Sequence, residues 1–201
     1  MKIICVGRNY AAHAAELKNE VPTEPVLFCK PDTALLPKSH PFVYPDFTKN
    51  LHFEGELVVK INRLGKNIDE KFAHRYYSEI GLGIDFTARD VQQKCKEKGL
   101  PWEKAKAFDY SAPVSQKFLP VGDIENTRFK IYKNGELVQD GNSSLMLFGV
   151  NKLISYISQF FTLKIGDLIF TGTPAGVGPV EIGDELVGEL EGEKILQVKV
   201  Y

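Results

Sequence analysis

The sequence predicts an α+β fold built mostly of strands. Short apolar runs of strand length recur along the chain, and few stretches have helical character. The strands do not alternate with helices as a Rossmann or TIM architecture requires. The pair Asn134-Gly135 lies between two strand-like runs and is the strongest kind of short hairpin signal. No repeat and no Pro/Gly/Ser-rich linker divides the 201 residues, so a single domain over 1–201 with a sizeable core is expected.

Taken in order, residues 2–7 read as a short buried strand. Asn9 then offers a cap to an alanine-rich helix over 10–18, short enough to need a partner or ligand to order it. Six prolines between 21 and 46 predict an extended run there, with a short strand at 26–29. Strands follow at 51–61 and 79–86. Thr87 and Asp90 resemble a capping box that opens a helix ending at Gly99. The hairpin pairs 129–133 with 136–139, a helix covers 150–160, and strands occupy 167–172, 185–190 and 194–200.

The charge balance excludes several partners. Lys plus Arg total 25 against 26 for Asp plus Glu, so no long-range field steers the chain to nucleic acid or an anionic membrane. No apolar run approaches the ~20 residues of a membrane span, and the four apolar residues after Lys2 fall short of a signal-peptide core of ~7–15. Cys5, Cys29 and Cys95 are scattered and form no CxxC pair, which points to a reducing, cytoplasmic setting.

The sharpest chemical feature is Glu54-Gly55-Glu56 within the strand expected at 51–61. Side chains alternate across a strand, so the two carboxylates share a face, about 7 Å apart along the chain. Like charges so placed repel unless water or a cation separates them. Asp85 ends an apolar stretch just before a helix and offers a third hard oxygen ligand. Such a set suits Mg²⁺ or Mn²⁺ rather than zinc. Spacing alone also allows a solvated sheet face with no metal. His52 shares the face of the glutamates and reads as a structural neighbour.

Six blocks carry a resemblance. They are Val6-Gly7-Arg8-Asn9-Tyr10 with His13 and Glu16, Phe28-Cys29-Lys30-Pro31, and Glu54-Gly55-Glu56-Leu57; then Asp85-Phe86-Thr87-Ala88-Arg89-Asp90, Lys106-Ala107-Phe108-Asp109, and Thr171-Gly172-Thr173-Pro174 with Gly176, Val177 and Gly178. In this order, and spanning nearly the whole chain, they resemble the fumarylacetoacetate hydrolase family, most of all its small acylpyruvase and oxaloacetate decarboxylase branch. The resemblance implies a mixed β-sheet roll with a short N-terminal lid helix, and a homodimer. It implies that Glu54, Glu56 and Asp85 hold Mg²⁺ (or Mn²⁺), and that Arg89, Gln92 and Thr173 bind the oxygens of a small 2-oxo acid. Lys106 would face inward and stabilise enolate charge, whereas Lys104 would face solvent. His13 and Glu16, three apart on one helix face, would form the base that activates water. On spacing alone the three carboxylates, Arg89, Gln92, Lys106 and the His13–Glu16 pair have ordinary structural or surface readings.

The expected reaction is hydrolysis of an acylpyruvate through a pyruvate enolate. Oxaloacetate decarboxylation, isomerisation or decarboxylation of longer unsaturated 2-oxo diacids, and a non-catalytic carboxylate-binding module are the rivals. The loops at 62–76 and 121–126 match no family block, so substrate identity stays open.

Overall fold

The antiparallel pair Gly55–Ile61 and Tyr77–Ile84 forms the spine of the computed structural model, which describes residues 1–16, 20–38 and 40–201. Both strands belong to a six-stranded sheet ordered Val26–Lys30, Ile3–Gly7, Leu168–Phe170, Gly55–Ile61, Tyr77–Ile84, Leu119–Pro120. Only Ile3–Gly7 and Leu168–Phe170 run parallel, so the sheet is mixed. Leu57, Val58 and Val59 are all fully buried, which means that this sheet is covered on both faces.

An antiparallel sheet of Glu193–Lys199, Glu185–Leu190, Arg128–Lys133 and Glu136–Asn142 packs against the spine. The approach is close: a methyl group at Gly55 would overlap the Ile131 side chain, and one at Gly188 would crowd Leu82. Gly178–Pro179, Leu51–Phe53 and Thr87–Ala88 make a third, short sheet. The helix Val150–Phe160 buries Val150, Leu153, Ile154 and Ile157, one stripe at helical spacing, and lies on the 3₁₀ turn Glu70–Tyr76. The α+β, mostly β expectation therefore holds. So does the hairpin, whose Asn134 and Gly135 both take positive φ, 53° and 85°.

Three expectations need correction. The strand expected at 51–61 is broken at Glu54 into Leu51–Phe53 and Gly55–Ile61, which pair in different sheets. The capping box does not form: the helix Arg89–Lys98 starts without a side-chain cap, and the Thr87 hydroxyl donates to the Asp85 carbonyl instead. Asp90 accepts from Thr48 Oγ1 at 2.5 Å and from the Val91 amide. Asn9 does not cap its helix either. Its side chain donates to the carbonyls of Phe148 and Thr171 and accepts from the Phe148 amide, tying the N-terminal segment to two distant loops. The N-terminal helix is seen over Ala11–Glu16; residues 17 and 18 of the expected helix lie outside the described residues.

Candidate active site

Strand register builds the acidic cluster. Gly55 pairs with Ile84 and Glu56 with Gly83, so one step beyond the ladder Glu54 meets Asp85, whose amide donates to the Glu54 carbonyl at 2.8 Å. The ligand oxygens of Glu54, Glu56 and Asp85 all lie within 4.8 Å of one another, and all three residues are buried. A solvated sheet face is thereby excluded for them. Three buried carboxylates this close repel strongly, and the chain answers with cations.

Lys106 Nζ donates to Glu54 Oε2 and to Asp85 Oδ2, each at 2.7 Å. Lys30 Nζ stands 2.8 Å from Asp85 Oδ1 as an ion pair and also donates to the Ser111 hydroxyl and to the carbonyls of Ser111 and Lys106. Arg89 pairs with Glu54 Oε1 and donates to Gln92 Oε1 at 3.0 Å. Burial alone would raise the Glu54 carboxyl, but Lys106 and Arg89 outweigh it and hold the group well below the usual carboxylate range. Burial also opposes charge on Lys106, yet Asp85 and Glu54 prevail and raise its pKa.

Glu56 is the exception. It pairs with no cation among the described residues and accepts only the Gly172 amide, at 2.7 Å. Burial first, then the charges of Asp85 and Glu54, push its carboxyl well above the usual range. A divalent cation among these oxygens would relieve that repulsion, and an all-carboxylate set matches a hard ion. The residues fit a metal of that kind.

The other expected site residues converge here. His13, Arg89, Gln92, Lys106 and Thr173 line one pocket with the three carboxylates. His13 is buried, and its Nδ1 lies 3.2 Å from Glu16 Oε2. Glu16 Oε1 also accepts the Gly176 amide at 3.1 Å. Thr173 is at the pocket wall, with its hydroxyl donated to the Gly55 carbonyl and accepting from Gln139 Nε2, both at 2.8 Å. Lys104 is exposed. His52 sits outside, bonded to Asn50 Oδ1; burial and the nearby Arg89 hold its pKa down to about 4. The pocket encloses about 40 Å³. A water needs roughly 10–15 Å³ of such space, so this is room for an ion and its waters rather than a whole 2-oxo acid.

Sequence reasoning gave no role to Lys30, Arg8, Lys96, Phe28 or Trp102. Lys30 is only 2% exposed, and Lys106 Nζ lies over the Phe28 ring at 5.2 Å. The signal for Lys30 was its place in a family-like block with Phe28 and Pro31, since a lysine at a strand end otherwise reads as solvent-facing.

The chain is similar over nearly its whole length to known proteins. The family model described as fumarylacetoacetate (FAA) hydrolase C-terminal matches residues 2–201. The mitochondrial oxaloacetate tautomerase FAHD1 of Bos taurus is 46% identical over 201 residues, covering 98% of this chain and 90% of its own length. The mitochondrial oxaloacetate decarboxylase of Dictyostelium discoideum is 45% identical over 186 residues, covering 90% and 85%. The crystal structure of fumarylpyruvate hydrolase from Pseudomonas aeruginosa with Mn²⁺ and pyruvate superposes with a TM-score of 0.93 at 39% identity, covering 100% of this chain and 89% of that one.

Proposed function

The chain belongs to the fumarylacetoacetate hydrolase family, and on that premise we propose that it is a divalent-metal-dependent enzyme that interconverts the keto and enol forms of a small 2-oxo acid of the oxaloacetate type. One observation carries the reading: His13, oriented by Glu16, lines the same pocket as Glu54, Glu56, Asp85 and Lys106. A base and a concentration of positive charge thus face one substrate.

Glu54, Glu56 and Asp85 would hold Mg²⁺, or Mn²⁺ in its place. The ion, when bound, supplies Lewis-acid polarisation of the 2-oxo group. With Nδ1 turned to Glu16, His13 has Nε2 free to take a proton from C3 of the keto acid. The electron pair of that C–H bond becomes the C2–C3 double bond, and negative charge moves to the C2 oxygen. Lys106 answers that charge with its buried ammonium, and the proton held on His13 is passed to the C2 oxygen to give the enol; in the reverse direction the oxygen loses its proton and C3 regains one from His13. Arg89 and Gln92 orient the carboxylate beside it. The pocket must widen to admit this substrate, and the helix Ala11–Glu16, which carries the base, is the wall we assign to that movement.

Acylpyruvate hydrolysis is the second reading, supported by the likeness to fumarylpyruvate hydrolase. There His13 and Glu16 activate a water, and Lys106 stabilises the pyruvate enolate that leaves. Decarboxylation of oxaloacetate reaches the same enolate by loss of CO₂, with no base required. Purified protein with Mg²⁺ is assayed in parallel for ketonisation of enol-oxaloacetate, for cleavage of fumarylpyruvate and for pyruvate release from oxaloacetate. Ketonisation is expected to be fastest; cleavage outpacing it would move the assignment to the hydrolase, and no metal-dependent activity on any of them would sink both. We propose further a homodimer working in the cytoplasm, tested by size-exclusion chromatography and cell fractionation.

A further inference from the structure

Five lysine and arginine side chains surround the three carboxylates, and they fall into two groups. Arg89, Lys106 and Lys30 are each engaged with Glu54 or Asp85. Arg8 and Lys96 line the same pocket and form no ion pair among the described residues. We propose that Arg8 and Lys96 form a second anion subsite at the pocket mouth, which takes the distal carboxylate of a 2-oxo diacid.

Charge arithmetic supports it. Five cations against the three carboxylates and Glu16 leave one positive charge, and a divalent ion would raise the excess to three. A dianion neutralises more of that excess than a monoacid does. Arg8 takes a φ of 59°, a left-handed conformation uncommon for a residue with a side chain. The neighbouring Asn9 is fixed by hydrogen bonds to the loops at Phe148 and Thr171, which holds this end of the pocket in place.

Lys96 projects from the helix Arg89–Lys98, with its Nζ 5.9 Å from the centre of the Trp102 ring that forms another wall. Burial first, then the like charges of Arg8, Arg89 and Lys106, outweigh the opposing charge of Glu54 and lower its pKa. The subsite rests on the 2-oxo acid reading above and adds to it which acids are chosen.

The test uses two unreactive acids of equal length, 2-oxoglutarate and 2-oxopentanoate, which differ only in a distal carboxylate. Their binding to Mn²⁺-loaded protein is measured by titration calorimetry for the wild type, Lys96→Met, Arg8→Gln and Arg8→Lys. The wild type should prefer the diacid by about tenfold or more, as a hydrogen-bonded charge contact gives. Lys96→Met and Arg8→Gln should each erase most of that preference, and Arg8→Lys should keep part of it. Equal affinity of the wild type for both acids overturns the subsite and leaves the 2-oxo acid reading intact. So does a loss that falls equally on the two acids in the variants. Binding of neither acid sinks that reading and the subsite with it. If Arg8→Gln does not fold, Lys96→Met, at an exposed helix position, decides alone.

Discussion

The Gly176 amide donates to Glu16 Oε1 at 3.1 Å, so a residue from the C-terminal quarter of the chain holds one half of the base pair near the N-terminus. Glu16 is thereby bonded on both sides, to His13 through Oε2 and to the loop through Oε1. Gly176 takes a φ of 97°, and a methyl group there would collide with the Val138 carbonyl.

Removing the base should show directly in turnover. Glu16→Ala and His13→Ala are expected to lower ketonisation by ~10²–10⁴-fold, the usual worth of a general base. Enzyme-catalysed oxaloacetate decarboxylation, which needs no base, should fall much less in steady-state assays. Intact ketonisation in both variants would leave the pair without a catalytic role.

Gly176→Ala acts on the same pair from outside the pocket. The clash and the left-handed backbone should cost about 1–3 kcal/mol in urea unfolding. Turnover should fall as well, because Glu16 loses its anchor. A variant of wild-type stability and activity would show that the loop does not position the helix.

The two neighbouring lysines should behave in opposite ways. Lys106→Ala leaves Glu54 and Asp85 with less compensation and should destabilise the metal-free protein by about 3–5 kcal/mol. Added Mg²⁺ should recover part of that loss but not the turnover. Lys104→Ala, at an exposed position, should stay within about 0.5 kcal/mol of the parent. Equal effects of the two would mean that the inward lysine has been misassigned.

Metal should stabilise the fold as well as the reaction. At about 100 times its dissociation constant, an ion adds ~2.7 kcal/mol, or roughly 5–10 °C in the melting temperature of a domain this size. Mg²⁺ or Mn²⁺ added to chelator-treated protein should give this shift in scanning calorimetry. Glu56→Gln should abolish it, since Glu56 is the one of the three that has no cation partner among the described residues. A full shift in that variant would place the ion elsewhere.

Acid stability should depend on Asp167. Burial would raise its carboxyl, but bonds from the Lys2 side chain and from the amides of Lys2 and Lys164 outweigh it and hold the group low. A carboxylate held low contributes stability that is fully present above its unfolded pKa of ~3.9 and is lost as pH falls through the folded value. Asp167→Asn should therefore cost most at neutral pH, about 1–3 kcal/mol, and converge on the wild type toward pH 3. Parallel stability curves across that range would contradict the linkage.

Much of this was legible in the sequence because it is local. Apolar periodicity marks Val150–Phe160 at both ends, and Asn134-Gly135 marks its hairpin, since turn chemistry and helix period act over a few residues. The acidic trio and the inward Lys106 were legible through family-like blocks rather than through pattern. What failed was tertiary. Asn9 could have capped its helix, but it bonds to loops some 140 to 160 positions away, beyond the reach of any local signal. Lys30 was unreadable as a site residue because its burial depends on Asp85 and Ser111 arriving from elsewhere in the chain. The break at Glu54 hides for a similar reason: both halves of that run are good strands, and only the sheets that they join distinguish them.

That break has a mechanical side. The chain passes between the six-stranded and the three-stranded sheets at Glu54, and passes back at Asp85 and Phe86. Two of the three carboxylates are therefore the crossing points themselves, and the third, Glu56, sits one residue inside the larger sheet. An ion gripped by all three would act as a rivet through a corner joint, fixing the angle at which the two sheets meet. Amide protons on either side of the corner, at Gly55, Asp85 and Arg89, would then exchange with solvent as one cooperative unit whose opening slows when the rivet is in place. The centre that handles the substrate would thus also set how stiffly this corner of the molecule is held.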